Sequence, residues 1–301
     1  PLTSRWHSGC AVVSWWRHDV AACVRCRRVR PMSTSGVPGR RPSSLERDER
    51  WARVAWAFLA EPRETSVVAA LGTFGAVEAL ARFRAGHLLV RPGALERLPL
   101  LDVDDLAHAA DRQGVHVVVP GDEGWPLGVD RLDEPPYALF VRGYPDLDTL
   151  VERSVAVVGS RAATDYGMRT AADLAEGLGA RGFTIISGAA YGIDSAAHRA
   201  ALASGGPTVA VLACGADRFY PAAHRSMLNE IARTGAVVSE VPVGAAPYRS
   251  RFLARNRLIA TLARATIVVE ASQRSGSLTT ARHARENHLP GGAGPGPGAS
   301  M

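Results

Sequence analysis

The chain has 301 residues, a formal net charge of +6 and a pI near 9.6. Apolar residues make up 47% and charged residues 21%, which is ordinary for a globular protein. There is no run of about 18 apolar residues, so we predict no membrane span, and four cysteines are too few for a disulfide framework. No signal peptide is recognisable, and we expect a cytoplasmic protein.

The positive charge lies near the N-terminus and not in the predicted folded body. Residues 1–50 contain ten arginines and four acidic residues, which accounts for the whole net charge. Net charge therefore gives no argument for a nucleic-acid partner, and only local clusters of basic residues can. The sequence contains no lysine, so any contact with phosphate would use the planar, bidentate guanidinium of arginine.

Residues 1–44 predict a disordered or non-native leader. Arginines, tryptophans and cysteines are scattered irregularly before Met32, and a stretch rich in Ser, Gly and Pro follows it. Cys23 and Cys26 form a single C-x-x-C without a second pair of ligands. We therefore predict no metal site there.

Residues 45–112 have the apolar spacing of helices and predict a small helical domain of the helical-hairpin kind. Within it, 67–71 and 77–83 predict two short helices, with Gly72 and Gly75 marking the turn between them. Such a hairpin either contacts a DNA backbone or packs against its neighbour. Both interpretations stay open.

Residues 113–286 alternate short apolar runs with helical stretches. The predicted strands are Val115–Pro120, Tyr137–Val141, Val155–Val158, Thr184–Ile186, Val209–Leu212, Ala236–Val238 and Thr266–Val269. Strands that are apolar on both faces and separated by helices predict a sheet covered on each side. The fold class is therefore α/β, a Rossmann-like doubly wound and mostly parallel sheet with a small N-terminal helical domain. Residues 287–301 are rich in Gly and Pro and predict a disordered tail.

Two glycine-containing loops follow the first two strands of the alternating region. One carries Gly159, Ser160 and Arg161, and the other runs from Ser187 to Asp194. Ligands of such sheets bind at the carboxyl ends of the strands, and glycines let backbone N–H groups approach an anion. The alternative, that these glycines only permit tight turns, stays open. No G-x-G-x-x-G follows the first strand and no G-K-[ST] exists, so we predict no nucleotide cofactor.

The stretch Val241–Val269 lacks acidic residues and contains five arginines: Arg249, Arg251, Arg255, Arg257 and Arg264. Guanidinium groups this close together suit a track of phosphates. The alternative is a helix whose acidic partners come from elsewhere in the fold.

No constellation of residues predicts catalysis. His198 follows Asp194 by four residues, but a capping pair at a helix start explains that spacing as well as catalysis does. His198 and His224 lack a third ligand at metal spacing. We therefore predict that the protein is not an enzyme and has no catalytic residues.

Six ordered strings carry a family resemblance. VAVVGSRAATDYG, ISGAAYGIDSAAHRAAL, VLACGADRFYPAAH, VVSEVP, RFLARNRLIA and VVEASQRSGSLTTARHA lie within about residues 151–285. Together they resemble the DprA (DNA-processing protein A, Smf) family. The resemblance implies a cytoplasmic homodimer without catalytic activity. It would bind and protect incoming single-stranded DNA in natural transformation and load the RecA recombinase onto it.

The resemblance also implies a DNA site, with Arg161 as its leading contact. The implied residues are Gly159, Ser160, Arg161, Ser187, Gly188, Gly192, Asp194, Arg255, Asn256, Arg257, Ser275 and Gly276. Many relatives carry a basic residue after Tyr-Pro, where this chain has Ala222. We expect Arg218 or Arg225 to substitute, and Arg251 to provide a further contact.

The C-terminus departs from the family pattern. Relatives continue into another strand and a Pro-Gly turn, whereas this chain becomes Gly- and Pro-rich, which suggests a truncated or frameshifted member. Two rival hypotheses follow. One is a nucleotide-cleaving hydrolase of the lysine-decarboxylase-like Rossmann group, which would need a carboxylate such as Glu270 or Asp194. The other is a non-functional remnant.

Overall fold

An eight-stranded mixed sheet organises the chain in the computed structural model, which describes residues 44–272 and 275–294, with side chains from Glu49 onward. The strands are β1 (Val115–Val118), β2 (Leu139–Gly143), β3 (Ser154–Val158), β4 (Thr184–Ser187), β5 (Thr208–Val211), β6 (Ala236–Ser239), β7 (Ala265–Val268) and β8 (Gly291–Ala293). Their order across the sheet is β1-β2-β6-β5-β4-β3-β7-β8.

The six strands from β6 to β8 in that order run parallel, and β1 and β2 add an antiparallel extension. β3 to β6 are buried along their whole length, which is why they are apolar on both faces. The predicted α/β class and Rossmann-like, mostly parallel sheet are confirmed.

Helices cover both faces of the sheet. They are α1 (Ser44–Leu59), α2 (Thr65–Arg84), α3 (Pro92–Arg97), α4 (Val103–Arg112), α5 (Leu147–Val151), α6 (Asp165–Gly179), α7 (Ile193–Ala203), α8 (Arg225–Thr234), α9 (Arg249–Leu262) and α10 (Ser277–Glu286). α6 to α9 each follow a strand of the parallel region. This alternation places the loops that leave β3, β4, β5 and β7 at one edge of the sheet.

The N-terminal helices share their core with the sheet and have no separate core. Trp56 and Phe83 lie in the same buried cluster as Phe140 of β2 and Leu228 of α8. Of the two roles left open for this helical region, packing against the neighbouring domain is therefore the one that the structure shows. α4 ends at Arg112 and β1 begins at Val115, on either side of the boundary predicted between 112 and 113.

α2 contains the two helices predicted over 67–71 and 77–83. Its range, Thr65–Arg84, joins two helical stretches at Gly75, whose backbone is not helical, with φ of 76° and ψ of 169°. Trp56 donates its indole N–H to the carbonyl of Ala76 just after the kink, at 3.2 Å. By length and composition alone α2 could also cross a membrane, a criterion that core helices meet as well.

The prediction of a disordered tail over 287–301 is wrong for its first part. Gly291–Ala293 form β8, which pairs in parallel with Thr266–Val268. This strand is an exposed edge, so it needs backbone pairing but no apolar side chains, and composition could not reveal it. Residues 295–301 lie outside the described residues. So does the predicted leader, 1–44, except for Ser44, where α1 begins.

Candidate nucleic-acid interface

A cavity of about 360 Å³ opens at the carboxyl edge of the parallel strands. The loops after β3, β4 and β7, one face of α9 and the first turn of α10 enclose it. Eight of the predicted site residues line it: Gly159, Ser160, Arg161, Asp194, Arg255, Asn256, Ser275 and Gly276. The structure therefore gathers most of the predicted set, although the residues come from four separate segments of the chain.

Arg161 is the exposed cation of this cavity. Its guanidinium carbon lies 5.2 Å from the ring centroid of Phe252 on α9. Within the described residues no carboxylate forms an ion pair with Arg161, so its charge is free to attract an anion. An exposed guanidinium held over an aromatic face can bind a phosphate while the ring presents a surface to a base.

Glu270, at the end of the β7 segment, holds the loop that carries Arg161. Its backbone carbonyl accepts the N–H of Ser160 at 2.7 Å. Its carboxylate accepts the N–H of Thr164 at 3.0 Å and the Thr164 hydroxyl at 2.8 Å. The first residue of this loop, Gly159, must be glycine, because a Cβ there would lie 2.5 Å from Cγ1 of Ile193.

The backbone donors of the second glycine loop do not face the cavity. The N–H groups of Gly188 and Ala190 both point to one carboxylate oxygen of Asp194, at 3.2 and 3.3 Å. Ser187 donates its hydroxyl to the carbonyl of Val157 at 2.6 Å. The expectation that Ser187 and Gly188 contact an anion is therefore corrected: an internal carboxylate and the neighbouring strand already satisfy these groups.

Gly192 supports the first loop from below and does not line the cavity. Its φ is 75°, and a Cβ there would collide with the carbonyl oxygens of Ser160 and Arg161. The next N–H, of Ile193, donates to the carbonyl of Ser160 at 3.2 Å. Glycine is required here by both the positive φ and the close approach of two backbones.

Asp194 and Arg255 are buried beside each other at the floor of the cavity, 6% and 4% exposed. Burial raises the pKa of Asp194, and the nearby Arg255 opposes that shift. Burial lowers the pKa of Arg255 to about 10, and the charge of Arg161 adds to that shift. Arg255 donates to the carbonyls of Gly188, at 2.8 Å, and Val211.

Arg257 and Arg251 do not reach the cavity, which corrects two predicted contacts. Arg257 is 1% exposed and forms a buried ion pair with Glu240. Arg251 makes a bidentate pair with Glu61, both bonds 2.8 Å long. For these two arginines the alternative hypothesis was correct: their acidic partners, Glu240 and Glu61, come from outside the acid-free stretch.

Of the two arginines proposed to replace a missing basic residue, Arg218 lies on the loop after β5 and Arg225 is the first residue of α8. Arg218 donates to the carbonyl of Gly244 at 2.7 Å, and Arg225 stacks on Phe219. Neither lines the main cavity or the smaller one of about 150 Å³ beside it. That second cavity shares Arg161, Phe252 and Arg255 with the first and includes Tyr191 and Tyr220.

Several lining residues were missed by sequence reasoning, among them Phe252, Leu253, Ser277 and Thr280. Phe252 precedes Arg255 by three residues on α9, a spacing that places both on one helix face. That spacing was the signal that could have found it. Ser277 and Thr280 begin α10, whose first turn is tied to α9 by Asn256, donating to the carbonyl of Gly276 at 3.0 Å.

The carboxylates that a hydrolase would need are already engaged. Asp194 accepts two backbone N–H groups, and Glu270 is held by Thr164. His198 bonds Thr208 at 2.7 Å and not Asp194, and burial lowers its pKa to about 3. Over 44–272 and 275–294, no group of three His, Cys, Asp or Glu side chains could hold a metal ion.

The geometry agrees with comparisons to known proteins. A family model described as DNA recombination-mediator protein A matches residues 116–298. A protein named "Putative DNA processing protein DprA" from Mycobacterium tuberculosis is 44% identical over 261 residues, covering 81% of this chain and 67% of its own length. The chain belongs to the DNA recombination-mediator protein A family. A further member, "DNA processing protein DprA" of Streptococcus pneumoniae, is 43% identical over 55% of this chain and 57% of its own length.

Two solved structures of this family extend the comparison. DprA from Streptococcus pneumoniae aligns with a TM-score of 0.69 and 32% identity, covering 83% of this chain and 88% of the other. DNA processing protein A from Helicobacter pylori, described for its single-stranded DNA binding mode, aligns with a TM-score of 0.55 and 30% identity. That alignment covers 62% of this chain and 84% of the other. The H. pylori relative is thus a protein that binds single-stranded DNA.

Proposed function

We propose that this protein binds single-stranded DNA at the rim of the larger cavity without altering it chemically. The observation that carries this proposal is Arg161, exposed, free of acidic partners within the described residues and stacked on Phe252. Single strands are bound by combining cationic groups for phosphates with aromatic faces for bases. A duplex keeps its bases stacked inside and cannot use the aromatic face.

Arg249 extends the cationic rim. It begins α9, is exposed, and lies one helical turn before Leu253, which lines the cavity. Ser275 and Ser277 supply side-chain hydroxyls to the cavity lining, where the two hydroxyls lie 2.6 Å apart. Such polar groups suit phosphate oxygens and carry no base preference. We therefore expect binding with little sequence specificity.

The biological role follows from the family and is proposed with it. The protein would act in the cytoplasm during DNA uptake, protect the incoming strand and pass it to the RecA recombinase, as a homodimer. The S. pneumoniae and H. pylori relatives support the DNA-binding part of this role. RecA loading and dimer formation are extensions to be tested on the purified chain.

Fluorescence anisotropy with labelled oligo-dT over a series of salt concentrations tests the proposal. Arg161→Ala should weaken binding about ten-fold, the loss of roughly one charge-assisted contact. It should also make the salt dependence shallower by about 0.7 in log–log slope, the value for one phosphate of a single strand. Arg233→Gln, an exposed arginine paired with Glu230 on α8, is the matched control. Unchanged affinity of Arg161→Ala would overturn the proposal.

A further inference from the structure

Arg255 occupies the centre of the candidate site but has the contacts of an internal clamp. It is 4% exposed and therefore has almost no surface to offer a ligand. One terminal nitrogen donates to two backbone carbonyls, those of Gly188 after β4 and Val211 at the end of β5. Its Nε donates to the side chain of Asn256 at 3.3 Å. Its guanidinium thus joins two neighbouring strand ends to α9.

The segment held by Arg255 is fixed from both sides. Asp194 takes the N–H groups of Gly188 and Ala190, while Arg255 takes the carbonyl of Gly188. His224 bonds the carbonyl of Ala189 at 2.9 Å. Ala189 has a φ of 54°, an uncommon conformation for a residue with a side chain, which persists where surrounding contacts impose it.

This segment leads directly to the support of the Arg161 loop. Two residues beyond Ala190, Gly192 packs against the carbonyls of Ser160 and Arg161. Ile193 then donates its N–H to Ser160. A displacement of 188–190 would therefore move the platform on which Arg161 rests. The two guanidinium groups also repel each other, since Arg161 is among the causes that lower the pKa of Arg255.

We propose that Arg255 is a positioning residue that orders the 188–194 turn beneath Arg161 and does not contact the DNA. This inference rests on the proposed single-stranded DNA binding for its affinity measurements, but its structural part can be measured without DNA. Gly188 offers an independent way to disturb the clamp. A Cβ at Gly188 would lie 2.5 Å from a terminal nitrogen of Arg255, so Gly188→Ala must displace the guanidinium without changing any charge.

The experiment measures oligo-dT affinity across salt concentrations for Arg255→Lys, Arg255→Gln and Gly188→Ala, with Arg161→Ala as the direct-contact reference. We expect each of the three variants to lose affinity by up to about ten-fold and to shift the salt slope toward that of Arg161→Ala, because the displaced group is Arg161. If Arg255 itself bound a phosphate, Arg255→Lys would instead keep most of the parent affinity, because lysine also binds phosphate as a point charge, and Gly188→Ala would not reproduce the loss seen in Arg255→Gln. That result would overturn the proposal.

Two further measurements separate positioning from general destabilisation. Hydrogen exchange of the peptide covering 188–194 should rise in all three variants while exchange in β3 and β5 stays protected. The double variant Arg255→Lys with Arg161→Ala should bind no more weakly than Arg161→Ala alone, because the effect passes through Arg161. If Gly188→Ala leaves both exchange and affinity unchanged, the clamp is refuted. If the parent protein fails to bind oligo-dT, the proposed function fails, and the exchange data still decide the clamp.

Discussion

The guanidinium of Arg161 and the ring of Phe252 form one wall shared by two adjacent cavities. Arg161 comes from the loop after β3 and Phe252 from the second turn of the helix 249–262, so the pair exists only in the folded protein. On one side lie serines, glycines and the first turn of a helix; on the other lie Tyr191 and Tyr220. Phosphate-binding and base-stacking groups are thereby set next to each other.

Phe252→Leu should weaken single-stranded DNA binding while leaving weak duplex binding unchanged. Leucine keeps most of the apolar contact with neighbouring residues but removes the aromatic face, and base stacking on an aromatic side chain contributes about 1–3 kcal/mol per base. The check is anisotropy with oligo-dT and with a duplex of equal length. Phe219→Leu, at a ring stacked by Arg142 and Arg225 outside both cavities, is the control. Equal losses for both DNA forms would contradict stacking at Phe252.

Glu270→Gln distinguishes DNA binding from the rival hydrolase. The amide oxygen can still accept from Thr164, and the substitution removes one negative charge beside the loop that carries Arg161. We therefore expect the affinity for oligo-dT to stay within about two-fold of the parent or to rise. Glu270→Ala, which leaves the Thr164 N–H without this acceptor, should bind more weakly. A hydrolase would instead release base from nucleoside monophosphates, measured by chromatography, and would lose that turnover in Glu270→Gln.

The parallel region of the sheet was predictable because burial on both faces leaves uninterrupted apolar runs. β4, for example, is predicted as Thr184–Ile186 and found as Thr184–Ser187. The edge strand Gly291–Ala293 was not predictable from the sequence, because its exposed residues show no apolar pattern. It is a strand because its backbone pairs with β7. The break between two helices at Gly75 was signalled by its glycine, but the hydrogen bond from the Trp56 indole to the carbonyl of Ala76 just after it depends on tertiary packing.

The sequence was enough to predict a site residue whose place follows from its position after a strand. It was not enough where a residue's environment depends on an ion pair with another element of the fold. Arg161 lies three residues after the end of β3, so topology places it at the cavity. Arg257 lies on the same helix as Arg255, but its pairing with Glu240, just after β6, depends on how the helix packs against the sheet. A stretch of sequence without acidic residues therefore shows that arginines are concentrated there. It does not show whether carboxylates from other parts of the fold pair with them.

Arg257→Met should destabilise the protein without changing DNA affinity per folded molecule. Removing one partner of a buried ion pair leaves Glu240 uncompensated, at a cost of about 3–5 kcal/mol, and burial already raises the pKa of Glu240. The double variant Arg257→Met with Glu240→Leu should recover much of that stability, because neither charge is then buried alone. Urea unfolding measures the stabilities. A loss of salt slope in oligo-dT binding by Arg257→Met would show that Arg257 contacts phosphate after all.

His198 should make stability fall in mild acid. Its imidazole is fully buried on α7, and burial lowers its pKa from 6.5 to about 3. Below pH 6.5 the unfolded chain binds a proton at this position that the folded protein excludes, so unfolding becomes more favourable as the pH falls toward 3. At pH 5 the contribution lost is about 2 kcal/mol. The check is to measure the free energy of unfolding in urea for the parent and for His198→Gln between pH 7.5 and 5. This free energy should depend clearly less on pH in the variant. Parallel curves would mean that His198 is protonated without penalty in the folded state, and that the buried imidazole has an acceptor or a path to water.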